Sequence, residues 1–258
     1  MSVLLVAGTL VTAHRVLQAL RPQWFESRTD PPDAYPLPDV VLVRAWVGEA
    51  LRFGHTGQLT RGAADALRLS CLLLDSPMPP EVTLITGAVD VQDDRFEVEF
   101  VGWGDDYRSW SLGYHKIYGD LSTPQPWQDL RSLLKQTFVH PVFGEMAVRM
   151  TCMDSGGHYT SDVYKFTQTV PRVTAIKGVG GTGKPMVGKP GRSNLGGAQV
   201  FPLGVDTIKE IVVSRLKVTQ AGDPGYCAFP HDRGEDYFRG LTAESLITRF
   251  VKGFKRTE

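Results

Sequence analysis

Residues 81–104 read EVTLITGAVDVQDDRFEVEFVGWG, and this stretch decides the fold. VTLITGAVDV is β-branched and apolar along its whole length, as expected of a strand buried on both faces, and the polar turn Gln92-Asp93-Asp94 ends it. RFEVEFVGWG then alternates, with Phe96, Val98 and Phe100 on one face and Glu97 and Glu99 on the other. Period two predicts a half-exposed antiparallel strand. After Asp105-Asp106, YRSWSLGYHKIYG reads as a third strand, and the short turns make the three a meander. Asp93, Asp94, Asp105 and Asp106 are turn residues, and Trp103, Tyr107, Trp110 and Tyr114 are packing residues of the meander.

Downstream, PWQDLRSLLKQTF is an amphipathic helix with Pro126 near its first turn. MAVRMTCMD is a second buried strand closed by Gly156-Gly157, HYTSDVYKFTQ a helix and VTAIKG a strand. A glycine-rich stretch, 178–197, precedes QVFPLGV (strand), TIKEIVVSRL (helix) and GYCAFP (strand), and EDYFRGLTAESLITRFVKGF reads as helical in whole or part. Asp206 is expected at the N-cap of the TIKEIVVSRL helix, with an accessory metal role as the alternative. Three meandering strands, then helix, strand, helix and strand, give the order of an RNase H-like α/β fold, a mixed sheet flanked by helices.

Residues 1–80 read differently. An apolar start without a basic n-region, MSVLLVAGTLVTA, suggests a strand or buried helix rather than a signal peptide. RPQWFESRTDPPDAYPLPD, with five prolines, reads as an irregular linker, VVLVRAW as a strand and AADALRLSCLLL as a short helix. Pro77, Pro79 and Pro80 place a boundary near residue 80, dividing a poorly defined segment 1–80 from a domain 81–258. No apolar run reaches the about 18 residues that span a bilayer. Cys71, Cys152 and Cys227 have no zinc or CxxC spacing and read as reduced thiols of a cytoplasmic protein.

The formal net charge is zero, yet the chain is polarised. Between Pro171 and Val218 stand eight basic residues and two acidic ones. Such a stripe can hold a polyanion, with Lys177, Lys184, Lys189 and Arg192 as candidate DNA contacts. Asp90 and Asp154 end two buried strands in apolar surroundings. Burying a carboxylate costs several kcal/mol unless a cation compensates. On adjacent strands about 4.8 Å apart, the two acids could share a divalent ion, and oxygen-only ligands suit Mg2+ or Mn2+. GVGGTGKP at 178–185 fits a phosphate-binding loop, but Pro185 stands where the Mg2+-binding hydroxyl belongs, so ATP binding is not expected. His158, four positions after Asp154 and near a helix start, is a candidate phosphate contact or a helix-capping or packing residue.

The blocks GAVDVQDDRFEVEFVGWGDDYRSWSLGYHKIYGD and CMDSGGHYTSDVY, continued through GVDTIKEIVVSRL and YFRGLTAESLITRFV, resemble the nuclease domain of GpA-type (lambda-like) terminase large subunits over residues 81–258. The resemblance implies a metal-dependent endonuclease that cuts double-stranded viral DNA at packaging. It further implies an RNase H-like fold, Asp90 as the first catalytic, metal-binding acid and Asp154 as the second. In an intact relative, the partners would be the terminase small subunit and the portal protein, in the cytoplasm of a bacterial host. The family carries an ATPase motor before this domain, which residues 1–80 do not resemble, and a final NExxD helix with the remaining acid. The chain ends at Lys255-Arg256-Thr257-Glu258, so the expectation is a fragment, from a decaying prophage, that lacks that acid; Asp232, Glu235 or Asp236 are the alternatives that could stand in for it. The alternative is a DNA-binding remnant that does not cleave.

Overall fold

The computed structural model describes residues 78–230 and 233–243, and the backbone of 248–251 and 254–257. The elements expected in residues 1–77, and Cys71 with them, lie outside the described residues, as does Asp232.

The meander forms as its sequence dictates. β1 (Leu84–Val91), β2 (Arg95–Trp103) and β3 (Ser109–Tyr118) pair antiparallel in turn. The chain then crosses over through α1 (Pro124–Leu133) and a hairpin, β4 (Thr137–His140) with β5 (Gly144–Ala147). It re-enters the sheet as β6 (Met150–Asp154), which lies parallel to β1. Next come α2 (Thr160–Thr169), β7 (Val173–Val179), β8 (Gly191–Arg192), β9 (Gln199–Gly204), α3 (Val205–Leu216), β10 (Cys227–Ala228) and α4 (Glu235–Leu241). The eight-stranded sheet runs in the order β10-β3-β2-β1-β6-β7-β9-β8. β1, β6, β7 and β9 are mutually parallel neighbours, so their carboxyl ends share one edge of the sheet.

Burial follows the period of two. Leu84, Ala88, Val101, Trp103 and Cys152 pack with Ile208, Val212 and Leu216 of α3 and Tyr237, Phe238 and Leu241 of α4. Ile85, Val89, Phe96, Val98, Phe100 and Met153 pack on the opposite face with Leu130 of α1 and Val163, Tyr164 and Phe166 of α2. The sheet is therefore a mixed central layer with helices on both faces.

Two expectations are corrected. β2 is not half-exposed: Glu97 and Glu99 are 5% and 1% exposed, because their face lies on the side covered by α3 and α4. Each acid is held by polar partners. The Ser111 and Tyr237 hydroxyls donate to Glu99 Oε1 (2.7 and 2.6 Å), and Arg95 Nε and the Tyr114 hydroxyl donate to Glu97 (2.8 and 2.7 Å). Asp206 is not an N-cap. Gly204 holds that position, and Asp206 sits inside the first turn. A side chain at residue 204 would stand 2.5 Å from Pro185 O, so only glycine fits there. The last segment is helical in part, as expected: α4 ends at Leu241, and β11 (Thr248–Val251) and β12 (Phe254–Thr257) form a hairpin beyond it.

The β4–β5 hairpin takes the ends of two expected elements: the helix PWQDLRSLLKQTF stops at Leu133, with Thr137 and Phe138 in β4, and the expected strand MAVRMTCMD gives Met146 and Ala147 to β5 and only Met150–Asp154 to the sheet. Buried His140 closes the hairpin, its Nδ1 accepting from the Val142 and Phe143 N–H groups, each at 3.0 Å. That leaves the ring proton on Nε2, which donates to Pro80 O at 3.2 Å.

Candidate functional site

The β1–β6 ladder runs through Val89–Met153, and the next residue on each strand is an aspartate, Asp90 and Asp154. Alternation puts both on the face of Ala88 and Cys152, towards α3 and α4. They stand side by side at the carboxyl ends of the two central parallel strands, where open α/β sheets bind their ligands. Asp90 is 2% and Asp154 7% exposed.

Their supports differ. Gln92, two residues on and therefore on the same face, donates through Nε2 to Asp90 Oδ2, but buried Oδ1 has no hydrogen-bond partner. Burial pushes the Asp90 carboxyl up to about 6, and the nearby Asp154 and Glu97 charges add to the rise against the Gln92 bond. Burial also raises Asp154, while the N–H groups of Gly156 and Ser155 and the charge of Lys177 pull it down. A side chain at Gly156 would lie 3.4 Å from both Asp154 carboxylate oxygens, so the loop backbone wraps that acid closely.

Glu97 pairs directly with Asp90 across β1 and β2, so three carboxylates line up over β2, β1 and β6. They are not equivalent. Glu97 has Arg95 Nε at 2.8 Å and Lys116 Nζ at 4.0 Å, whereas among the described residues no cation pairs with Asp90. Among the described residues no three His, Cys, Asp or Glu side chains are grouped to hold a metal ion. Two oxygen-ligand acids, one with an orphaned buried oxygen, nevertheless fit a hard divalent cation that keeps several of its waters.

The remaining predicted residues scatter around this edge. Lys177, in β7, is exposed and close enough to act on Asp154. The glycine-rich stretch is fastened to α3: Gly181 N–H donates to Asp206 Oδ2 (2.8 Å), and Thr207 Oγ1 donates to Lys184 O (2.7 Å). Asp206 is thus a loop anchor, and Lys184 is held exposed at the carboxyl end of β9, on the acid-bearing edge. The Gly181 N–H is occupied by the protein's own carboxylate, and β8 and β9, not a helix, follow the loop. Neither suits a phosphate-binding loop. Lys189 is exposed beside Gly188, which bonds Pro202 O, and Arg192 pairs with Gln199 at the start of β9, the far end. Arg215 lies over the Trp103 and Tyr107 rings (5.8 and 5.3 Å), so the basic stripe is not a single surface.

His158 neither caps a helix nor packs. It is exposed, its Nδ1 2.8 Å from Asp93 Oδ1. Glu235 and Asp236 ion-pair with Arg239 on α4. Sequence reasoning missed Gln92 and Glu97 as neighbours of Asp90; the period of two that places Gln92 on its face, and the one-to-one hairpin register, were the available signals.

The family described as terminase large subunit gpA, endonuclease domain, matches residues 45–258. The terminase large subunit of Escherichia phage lambda is 31% identical over 191 residues, covering 70% of this chain and 30% of that protein. That of Enterobacteria phage P21 is 28% identical over 188 residues, covering 69% and 29%. The chain thus matches less than a third of the length of either relative. No solved structure matches it significantly. The family match takes in most of the chain, both acid-bearing strands and the loops that follow them: the chain belongs to the family of terminase large subunit gpA endonuclease domains.

Proposed function

We propose that this chain hydrolyses phosphodiesters of double-stranded DNA with a divalent metal ion, as the nuclease part of a phage packaging terminase. The observation that carries the proposal is the pair Asp90 and Asp154, buried side by side with one Asp90 oxygen unpartnered. The meander followed by parallel β6 and β7 supports an RNase H-like assignment.

Asp90 and Asp154 would hold Mg2+ or Mn2+, which when bound supplies charge stabilisation for attack on phosphorus. The other groups orient. Gln92 fixes one Asp90 oxygen, and the Gly156 loop fixes Asp154. Lys177 and Lys184 stand exposed on the same edge, where they can meet DNA phosphates without reading bases. Lys189, exposed on the β7–β9 connection, would extend the contact, and Arg192, at the far end of β9, would meet DNA only if the duplex runs along the sheet. In a complete terminase the small subunit and portal protein would be partners, in the cytoplasm of the host. No described helix is long and apolar enough to cross a membrane.

Incubation with plasmid DNA and Mn2+ tests the proposal: wild type nicks or linearises the plasmid and Asp90→Ala does not. Identical behaviour of the two excludes catalysis at this site. The absence of a third grouped ligand among the described residues favours one alternative, a module that binds DNA without cutting it. Salt-sensitive binding with no cleavage by wild type would select it.

A further inference from the structure

The loop after Asp154 is built to hold one exposed side chain over the carboxyl ends of β1 and β6. Ser155 is buried, and its N–H and Oγ both donate to Ile176 O (2.9 and 2.7 Å). Thr160 Oγ1 reaches the carbonyls of Ser155 and Gly157 (2.8 and 2.7 Å), closing the loop onto α2. A side chain at Gly157 would stand 3.7 Å from Val91 O, so the loop crosses the end of β1. His158 follows immediately, and its Nδ1 meets Asp93 Oδ1 at 2.8 Å in the turn that ends β1. Each acid-bearing strand therefore contributes one member of an Asp–His pair through the loop that leaves it.

A carboxylate only accepts, so Nδ1 carries a proton and Nε2 is the ring position left for another partner. The side chains are 85% and 79% exposed, and a pair so solvated adds little stability. Its place in the two loops that leave the acid-bearing strands β1 and β6 gives it a chemical use.

We propose that His158, oriented by Asp93, protonates the leaving oxygen during phosphodiester hydrolysis, an inference that rests on the hydrolytic function proposed above. The oxygen of a water molecule bonds to phosphorus, and the bond from phosphorus to the leaving nucleoside oxygen breaks. The bonding pair goes to that oxygen, which takes the proton from Nε2–H of the imidazolium and becomes a hydroxyl. The ring is left neutral with Nδ1–H still on Asp93. The attacking water releases its proton to solvent, solvent reprotonates Nε2, and each cut consumes one water. Asp93 is a positioning residue that fixes the ring.

The test compares a DNA duplex with its counterparts carrying sulfur at the 3′ or the 5′ bridging position, in Mn2+, with the full chain. A thiolate leaves without needing a proton, so sulfur removes the demand for an acid. His158→Ala and His158→Asn, the latter retaining an amide that can reach Asp93, should cut ordinary DNA roughly 10²- to 10⁴-fold more slowly in kcat. KM should change little, and both variants should cut the sulfur duplex at the wild-type rate. Asp93→Asn should show a smaller loss with the same rescue. Equal losses on oxygen and sulfur substrates, or no loss on either, overturn the proposal while leaving an Asp90-dependent nuclease intact. If wild type cuts neither substrate, the hydrolytic function fails and this inference with it.

Discussion

Replacing Asp90 by Asn removes a buried charge while preserving its shape, which makes stability as informative a readout as activity. The carboxyl sits at about 6 instead of 3.8, chiefly because burial strips its water and secondarily because Asp154 and Glu97 are close. A raised acid favours the folded state when protonated. Its contribution is fully present below about pH 3.8 and is lost as pH rises through about 6. At about 1.4 kcal/mol per pH unit, the wild type gives up roughly 1–3 kcal/mol between pH 4 and 7. Asn gives up none of this, and its Oδ1 can still accept from Gln92. With about 2–4 °C of Tm per kcal/mol for a domain of this size, Asp90→Asn should melt several degrees higher than wild type at pH 7 in EDTA. The gap should close towards pH 4. Mn2+ should raise the Tm of the wild type and leave Asn unmoved. Thermal melts at several pH values, with and without Mn2+, measure all of this. An equal or lower Tm for Asn at pH 7, or a gap independent of pH, would refute an uncompensated buried carboxylate.

Glu99→Gln keeps the oxygen that accepts from Ser111 and Tyr237 and removes a carboxylate raised by burial. That acid favours folding below its ordinary 4.5 and loses the benefit as pH rises, so Gln should be at least as stable as wild type at pH 8, with the difference shrinking at pH 5. Melting curves at the two pH values decide, and a less stable Gln variant at pH 8 refutes it. Lys184→Glu with Lys189→Glu should weaken duplex DNA binding and reduce the slope of log affinity against log salt by about 0.9 for each phosphate that is no longer neutralised. Fluorescence anisotropy across a salt series reads both, and an unchanged slope removes these lysines from the interface.

What the sequence revealed, and what it hid, follows from the range of each interaction. The buried strands ending in Asp90 and Asp154 were legible because apolar β-branched runs closed by polar turns are local signals. The alternation of β2 identified the two faces correctly but not what covers them. Glu97 and Glu99 resemble a solvent face until Tyr114, Ser111 and Tyr237 arrive from other elements. Asp206 looked like a cap because aspartate commonly caps. Gly204 takes that place because Pro185 O comes too near for any side chain. The short β4–β5 hairpin depends on His140 reaching its own turn and Pro80, which no periodicity announces. The link between His158 and Asp93 spans 65 residues and becomes visible only once β1 and β6 lie side by side.

The central claim is that Asp90 and Asp154 jointly hold a divalent cation, and Mn2+ titration followed by the EPR signal of the free ion tests it most directly. Wild type should deplete the free-ion signal, while Asp90→Asn and Asp154→Asn should each weaken binding by about tenfold or more. Equal Mn2+ affinity in all three proteins would contradict a shared ion.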